Sequence, residues 1–333
     1  MKTILAISIL VLAVGSGCGP IITTAGWKNQ DINYAIRSDI KELNAKFIES
    51  INNNDLKSYN DLLSDSLKQL KNVDVEGFFK KYRGEVKGKS VSIFKEYYWK
   101  ISNPGLVLGV VDGENENAFK LNVVPMNKKT YMSLLLLSDS ITADMLTLVY
   151  GNYGGKWKVN ILQMNSYSFK NETAQDFYRH AQKLYREGDI VDAFLIMGLC
   201  NTCLNPCGPN LVYNNYSKIS ELQEKLKKQL FSAYAFPYTI NNIKSKPRIF
   251  KIEYTRENNG FYLTILYQTS INLSDKDNLK KEYNEIHNAV LGMFSGVEKN
   301  NDLIIYRAYN QFPVNENPFT WNQYHQFRKS KNG

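Results

Sequence analysis

Histidine and cysteine are scarce in this chain: 3 His and 4 Cys among 333 residues. So few soft ligands argue against ligand-rich metal chemistry, since a structural zinc site alone wants four. Beyond Val14 no apolar run approaches the roughly 20 residues that a membrane-spanning helix needs, which excludes a polytopic membrane protein. The phosphate loop G-x-x-x-x-G-K-[ST] is missing. So are a G-x-G-x-x-G after a strand, the zinc-protease H-E-x-x-H and the nucleophile elbow G-x-S-x-G. Concentrated basic charge is missing too. The net charge of +9, from 41 Lys+Arg and 32 Asp+Glu, is spread along the chain, which argues against nucleic acid as a partner. What remains is an ordinary globular balance, 43% hydrophobic and 22% charged. At roughly 150 residues per domain, the length suits two or three domains.

The most informative segment is the first. Met1-Lys2-Thr3 is a short positive start, Ile4 to Val14 is an uncharged apolar run, and Gly15-Ser16-Gly17 supplies small residues before Cys18. The run is too short to cross a hydrocarbon core of about 30 Å. It has the layout of a secretory signal peptide, residues 1–17. With a cysteine directly after the small residues, it resembles a bacterial lipoprotein signal. That resemblance implies acylation of Cys18 and a chain anchored to a membrane in the cell envelope. The family prefers Leu three residues before the cysteine, where this chain has Gly15; cleavage without lipid is the other outcome of such a segment. Residues 18–33 lack clear periodicity and read as a tether. They carry no acidic cluster after Cys18, which points to the periplasmic side.

Residues 34–170 form the first expected domain. Ile36, Ile40, Leu43, Phe47 and Ile51 make one helical stripe. Asp55 is placed to cap a second helix carrying Leu56, Tyr59, Leu62, Leu63, Leu67 and Leu70, and a short third covers Val75 to Tyr82. The period then changes. Val91 to Ile101, Leu106–Val111, Ala118–Val124, Tyr131–Leu137, Met145–Tyr150 and Lys156–Phe169 are strand candidates separated by turn residues, with no helices between them. That predicts an antiparallel sheet. Helices first, then long strands ending in Gly154-Gly155-Lys156-Trp157-Lys158-Val159, resemble the NTF2-like (cystatin-like, SnoaL-type) α+β fold. The resemblance implies a curved sheet wrapped around a helix, with a cone-shaped pocket that binds ligands or carries isomerase chemistry in some members. An isomerase-like site needs a carboxylate and phenol donors in an apolar cavity. Glu96, Asp139 and Asp144 with Tyr97, Tyr98 and Tyr131 are the candidates. The alternative is that Tyr97, Trp99 and Trp157 simply pack the sheet.

Residues 171–232 read as helical, with Asn171 or Thr173 as the first cap. Ala181 to Phe194, turning at Gly188-Asp189, has the small-and-aromatic spacing of one tetratricopeptide hairpin. A solenoid needs at least three such repeats, so this one reads as a spacer or peptide-contact surface, with an ordinary αα-hairpin as the alternative. A third helix carries Tyr213, Tyr216, Ile219, Leu222, Leu226 and Leu230. Cys200, Cys203 and Cys207 cluster at the end of the hairpin. An oxidising compartment favours a disulfide, Cys203–Cys207 or Cys200–Cys203. Apolar packing and a redox or metal role are the rivals.

Residues 233–326 make a small α+β layer. Strands Arg248–Tyr254 and Phe261–Gln268 flank an Asn-Gly turn, a helix capped at Ser274-Asp275 follows, and Leu303–Tyr309 is a third strand. His180, His287 and His325 are isolated, and residues 327–333 are a short basic tail. The whole chain reads as an α+β lipoprotein with no catalytic residues, metal or cofactor. Its expected partners are the membrane, through its lipid, and an envelope protein. A small apolar ligand in the first domain is the alternative.

Overall fold

The computed structural model describes residues 24–70, 74–257, 260–312 and 321–327. It is α+β, 41% helical and 35% strand, as the element pattern predicts. Cys18, the expected leader at 1–17 and most of the expected tail at 327–333 lie outside the described residues. The chain divides into two units: Met1–Asn171 with Cys203–Asn214, and Glu172–Thr202 with Asn215–Gly333. Within the helical stretch 171–232, residues 171 and 203–214 belong to the first unit and 172–202 and 215–232 to the second.

In the first unit α1 (Tyr34–Asn52) starts where the Asn33 side chain accepts the Ala35 N–H at 3.0 Å. Ile40, Phe47 and Ile51, all at 0% exposure, are its buried stripe. The single helix expected over 56–70 is two short ones, α2 (Leu56–Leu62) and α3 (Asp65–Lys68). The break falls at Leu63, whose backbone is extended and bridges to Val159; the Ser64 N–H then reaches the Val159 carbonyl at 2.9 Å. A sheet bond outbids one more helical turn here. Asp74 caps α4 (Val75–Val86) through the Gly77 N–H at 2.7 Å.

The strands are β1 (Thr24–Lys28), β2 (Ser90–Ile101), β3 (Leu108–Asp112), β4 (Phe119–Val123), β5 (Lys129–Ser138), β6 (Thr142–Tyr153) and β7 (Lys156–Phe169). Neighbours in the main sheet of this unit run β1-β2-β5-β6-β7, all antiparallel. Gly154 (φ 60°) and Gly155 (φ 95°) turn β6 into β7 in two residues, a backbone that side chains with a Cβ resist. The sheet curls strongly into a half-barrel. An extra residue enters the register once on β2, at Phe94, and twice on β7, at Tyr167 opposite Ala143/Asp144 and at Asn160 opposite Val149/Tyr150. Such bulges insert a residue, bend the strand and add twist.

The concave face packs on the helices. Tyr98, Tyr131, Leu135, Leu146, Leu148 and Tyr150 join Phe47, Ile51 and Tyr59 in one core cluster. Each such side chain contributes about 1.5–3 kcal/mol on full burial. Alternate residues of a strand face the other way. There Tyr97, Trp99, Met132, Met145 and Val149 are also buried. On that side Tyr97 bonds Asp112 of β3 and Met145 Sδ lies against Cys207 Sγ, while a separate three-stranded sheet, β3-β4-β9, pairs Phe119 with Tyr213 through its last strand β9 (Leu211–Tyr213). The sequence pattern puts Tyr213 on the stripe of a helix, but that helix starts only at Tyr216 and Leu211–Tyr213 is a strand. The main-chain bonds of β4 capture that segment. Residues 24–28, expected within the tether, are likewise strand β1, placing Trp27 opposite Tyr98. Their own sequence has no alternation; pairing with β2 makes the strand.

In the second unit the two-residue β8 (Glu172–Thr173) leads into α5 (Ala174–Glu187). Thr173 and Asp176 form its capping box, and Gly188 closes it. The helices α6 (Ile190–Cys203) and α7 (Tyr216–Ala233) follow. Ala181 and Ala193 are both fully buried. A five-stranded sheet runs β10 (Tyr238–Thr239), β11 (Arg248–Glu257), β12 (Gly260–Gln268), β13 (Leu303–Tyr309) and β14 (Asn322–Phe327). β12 and β13 are parallel because α8 (Lys276–Met293) carries the chain back across the sheet. A one-turn α9 (Val297–Asn300) precedes β13. Leu279, Tyr283, Ile286 and Val290 of α8 pack on Ile265, Tyr267 and Tyr306.

Candidate functional site

The acid-and-phenol arrangement sought between helix and curled sheet is present at Glu96, on the concave side of β2 and 2% exposed. Tyr131 donates its hydroxyl to Glu96 Oε1 at 2.6 Å, and Arg37 Nε donates to Oε2 at 3.1 Å. The Glu96 N–H reaches Asn29 Oδ1 at 3.0 Å. Arg37 also bonds Gln30. Two turns further along α1, on the same face, Asn44 Nδ2 donates to Ser133 Oγ and Tyr150 donates to Asn44 Oδ1, both at 2.8 Å. Burial, then the bond to Glu96, pushes the Tyr131 phenol far above its ordinary value; burial does the same to Tyr150.

Chemically this is a closed polar line. Both carboxylate oxygens of Glu96 are engaged, by a phenol and a guanidinium. The rings of Tyr98, Tyr131 and Trp157 stand 6.3 to 6.4 Å apart in mutual contact and fill the space beside it. Tyr98 stacks on Trp27 at 5.4 Å. The other candidates are scattered. Asp139 accepts the N–H groups of Ile141 and Thr142 and holds the β5–β6 turn. Asp144 pairs with Lys89 at 2.5 Å. Tyr97 points to the opposite face and donates to Asp112 Oδ2 at 2.8 Å.

Asp112 was not singled out by sequence, because nothing local marks it. It sits at the end of β3 in an open cleft of about 600 Å³ lined by Lys28, Lys95, Glu114, Asn115 and Asn117. Lys95 and Lys28 approach Oδ1 at 3.3 and 3.5 Å, and the Gly113 N–H at 2.7 Å. Burial pulls its pKa up, but the Tyr97 and Gly113 bonds and the two lysines outweigh that and hold it below the carboxylate range. This makes an ion-paired polar groove.

The disulfide expected among Cys200, Cys203 and Cys207 is not formed. All three are buried, and no metal-ligating group of three or more His, Cys, Asp or Glu exists among the described residues. Cys200 Sγ donates to the Ala174 carbonyl at 3.2 Å, and Cys207 Sγ lies 3.2 Å from Met145 Sδ. Burial pushes both thiols up to about 12, leaving almost no thiolate at neutral pH. The buried surroundings of each sulfur, invisible in their spacing, give them packing roles. His287 Nδ1 is 2.8 Å from the Tyr306 hydroxyl, and His325 meets Gln323.

The second unit buries a carboxylate pair of its own. Asp192, at 0% exposure, accepts from Asn300 Nδ2 at 2.8 Å and Asn301 Nδ2 at 2.9 Å. Burial raises its pKa, against the two asparagine bonds. Burial likewise raises Glu282, against bonds from Ser245 and Thr269. Such acids take up a proton in the folded state at a pH where the unfolded chain does not. Their contribution to stability therefore increases as pH falls from neutral through their folded pKa, and levels off below the unfolded value near 4. Denaturant midpoints for the second unit are expected to rise on mild acidification, with Asp192→Asn and Glu282→Gln flattening that rise. A flat wild-type profile over the same range would show that neither acid is held neutral.

Comparison with known proteins finds no family model and no curated protein that matches this chain.

Proposed function

We propose that this chain is a lipid-anchored binding or scaffolding protein of the cell envelope. Acyl chains on Cys18 would hold an NTF2-like unit and a tetratricopeptide-like hairpin on the periplasmic side of a membrane. The observation that carries this reading is the run from Lys2 to Cys18, a short apolar leader with small residues directly before a cysteine. Several acyl chains on one residue hold a soluble body stably, at about 0.8 kcal/mol per buried methylene. The engagement of Glu96 by Tyr131 and Arg37 supports a structural use of the concave face rather than a catalytic one. The role is then local concentration at the membrane and recognition of an envelope protein by surface.

The test is the intact mass of the protein from its native membranes, beside Cys18→Ala. Loss of residues 1–17 with added acyl mass in the wild type, and no acyl mass in the variant, is the expected result. A cleaved chain without lipid would overturn anchoring and leave a secreted protein.

A further inference from the structure

We propose that one end of the first unit is a membrane-contact surface, formed by the Leu106-Val107 and Val124–Met126 loops and the lysines beside them, which rests on anionic lipid headgroups. The proposal rests on the anchored reading for its proximity argument, and the two can fail separately.

The apolar groups come first. Leu106 is 40% exposed, Val107 65%, Val124 44% and Met126 45%. They are not scattered. Leu108 pairs with Val123, so Val107 and Val124 flank the open end of the β3–β4 hairpin. The Gly105 N–H binds the Pro125 carbonyl at 2.8 Å, which ties the two loops together. An exposed apolar cluster at the open end of a hairpin costs solubility unless something covers it.

The charge around it has one sign. Residues 100–111 and 120–131 carry Lys100, Lys120, Lys128 and Lys129 and no Asp or Glu. Lys100, Lys128 and Lys129 are exposed. Apolar side chains ringed by lysines match an interface whose headgroups are anionic and whose next layer is hydrocarbon.

The position supplies the occupant. Thr24, where the described chain begins, pairs with Ile101, and the Ile101 N–H binds the Lys128 carbonyl at 2.8 Å. The patch therefore lies at the same end of the sheet at which β1 starts. Cys18 is six positions before Thr24. Even fully extended, that span reaches only about 20 Å. An anchor on Cys18 holds this end, rather than the opposite end at Ser138-Asp139, next to the bilayer.

The experiment places a nitroxide at Val107→Cys in the full-length protein, reconstituted in vesicles of phosphatidylethanolamine and phosphatidylglycerol. Ser140→Cys, exposed at the far end of the sheet, is the reference. Val107 is largely exposed, so its replacement leaves the core intact, and Cys200, Cys203 and Cys207 are buried. The label at 107 is expected to collide several-fold more with lipid-soluble oxygen, relative to an aqueous nickel chelate, than the label at 140. Equal accessibility at both positions overturns the proposal. So does an immobilised label at 107 without vesicles, which would mean a contact between copies. If intact mass shows a cleaved but unacylated chain, the labelled protein carrying Cys18→Ser is mixed with the vesicles. Entry of the 107 label then upholds the patch without the anchor, and an aqueous label removes both. In that unacylated chain, replacing Lys128 and Lys129 by glutamine is expected to weaken partition about 25-fold, from about fivefold per lysine.

Discussion

Glu96→Ala is expected to destabilise the first unit by about 3 kcal/mol. The carboxylate is 2% exposed and accepts from Tyr131 and Arg37, so its removal strands both donors. A buried donor left without a partner costs about 1–3 kcal/mol. Tyr131 is completely buried and bears that cost in full. The Arg37 side chain is 25% exposed and partly recovers water, which keeps the loss at the low end of the roughly 3–5 kcal/mol seen for fully buried pairs. Glu96→Gln retains an acceptor for Tyr131 but turns an amide toward Arg37, and is expected to cost less. Because the pair acts as a unit, Glu96→Ala and Tyr131→Phe should be strongly non-additive. Urea unfolding with hydrogen exchange read on α1 measures this. Unchanged stability in Glu96→Ala would sink the structural reading and return Glu96 to the list of ligand-binding groups.

Gly296→Ala is expected to cost the second unit a similar amount, about 3 kcal/mol. Gly296 has φ +81°, where a side chain is strained by about 1 kcal/mol. A Cβ built there also lands on the Asp189 carboxylate. Asp189 is 4% exposed and accepts from Ser295 Oγ at 3.1 Å and Asn300 Nδ2 at 3.0 Å, so it has little room to retreat. Displacing it forfeits at least one bond to a buried charge, worth about 1.5–3 kcal/mol. The loss should appear as faster exchange at Asp189–Ala193 and a lower urea midpoint. Asp192→Ala, which leaves Asn300 its bond to Asp189 and Asn301 its bond to the Val297 carbonyl but removes the acceptor they share, should move the same amides. If Gly296→Ala leaves them protected, the α5–α6 turn is not keyed to residues 295–301.

These sites could not be read from the sequence. Arg37 and Glu96 are 59 positions apart, and Tyr131 is a further 35 beyond Glu96. A lone Glu between Lys95 and Tyr97 looks like any strand residue until the bulged register of β2 and the face of α1 bring the partners to it. Asp112 and the carboxylates at 189 and 192 were hidden for the same reason. Sequence named Glu96 and Tyr131 as an acid and a donor, and the tertiary contacts show both already engaged with each other and with Arg37.

Local physics fixed much else in advance. The 3.6-residue stripe of α1, the unbroken strand Lys156–Phe169 behind its two glycines, and the β13 run Leu303–Tyr309 are legible because each element's own side chains pay for it. Only tertiary structure decided the rest. It made strands of Thr24–Lys28, Leu211–Tyr213 and Asn322–Phe327, which lack a signal of their own and exist because a neighbouring strand offers them main-chain bonds. It set β3 and β4 in a second sheet rather than the main one, and assigned residues 203–214 to the first unit. Periodicity records which face of a segment is apolar; it does not record which distant surface that face will meet.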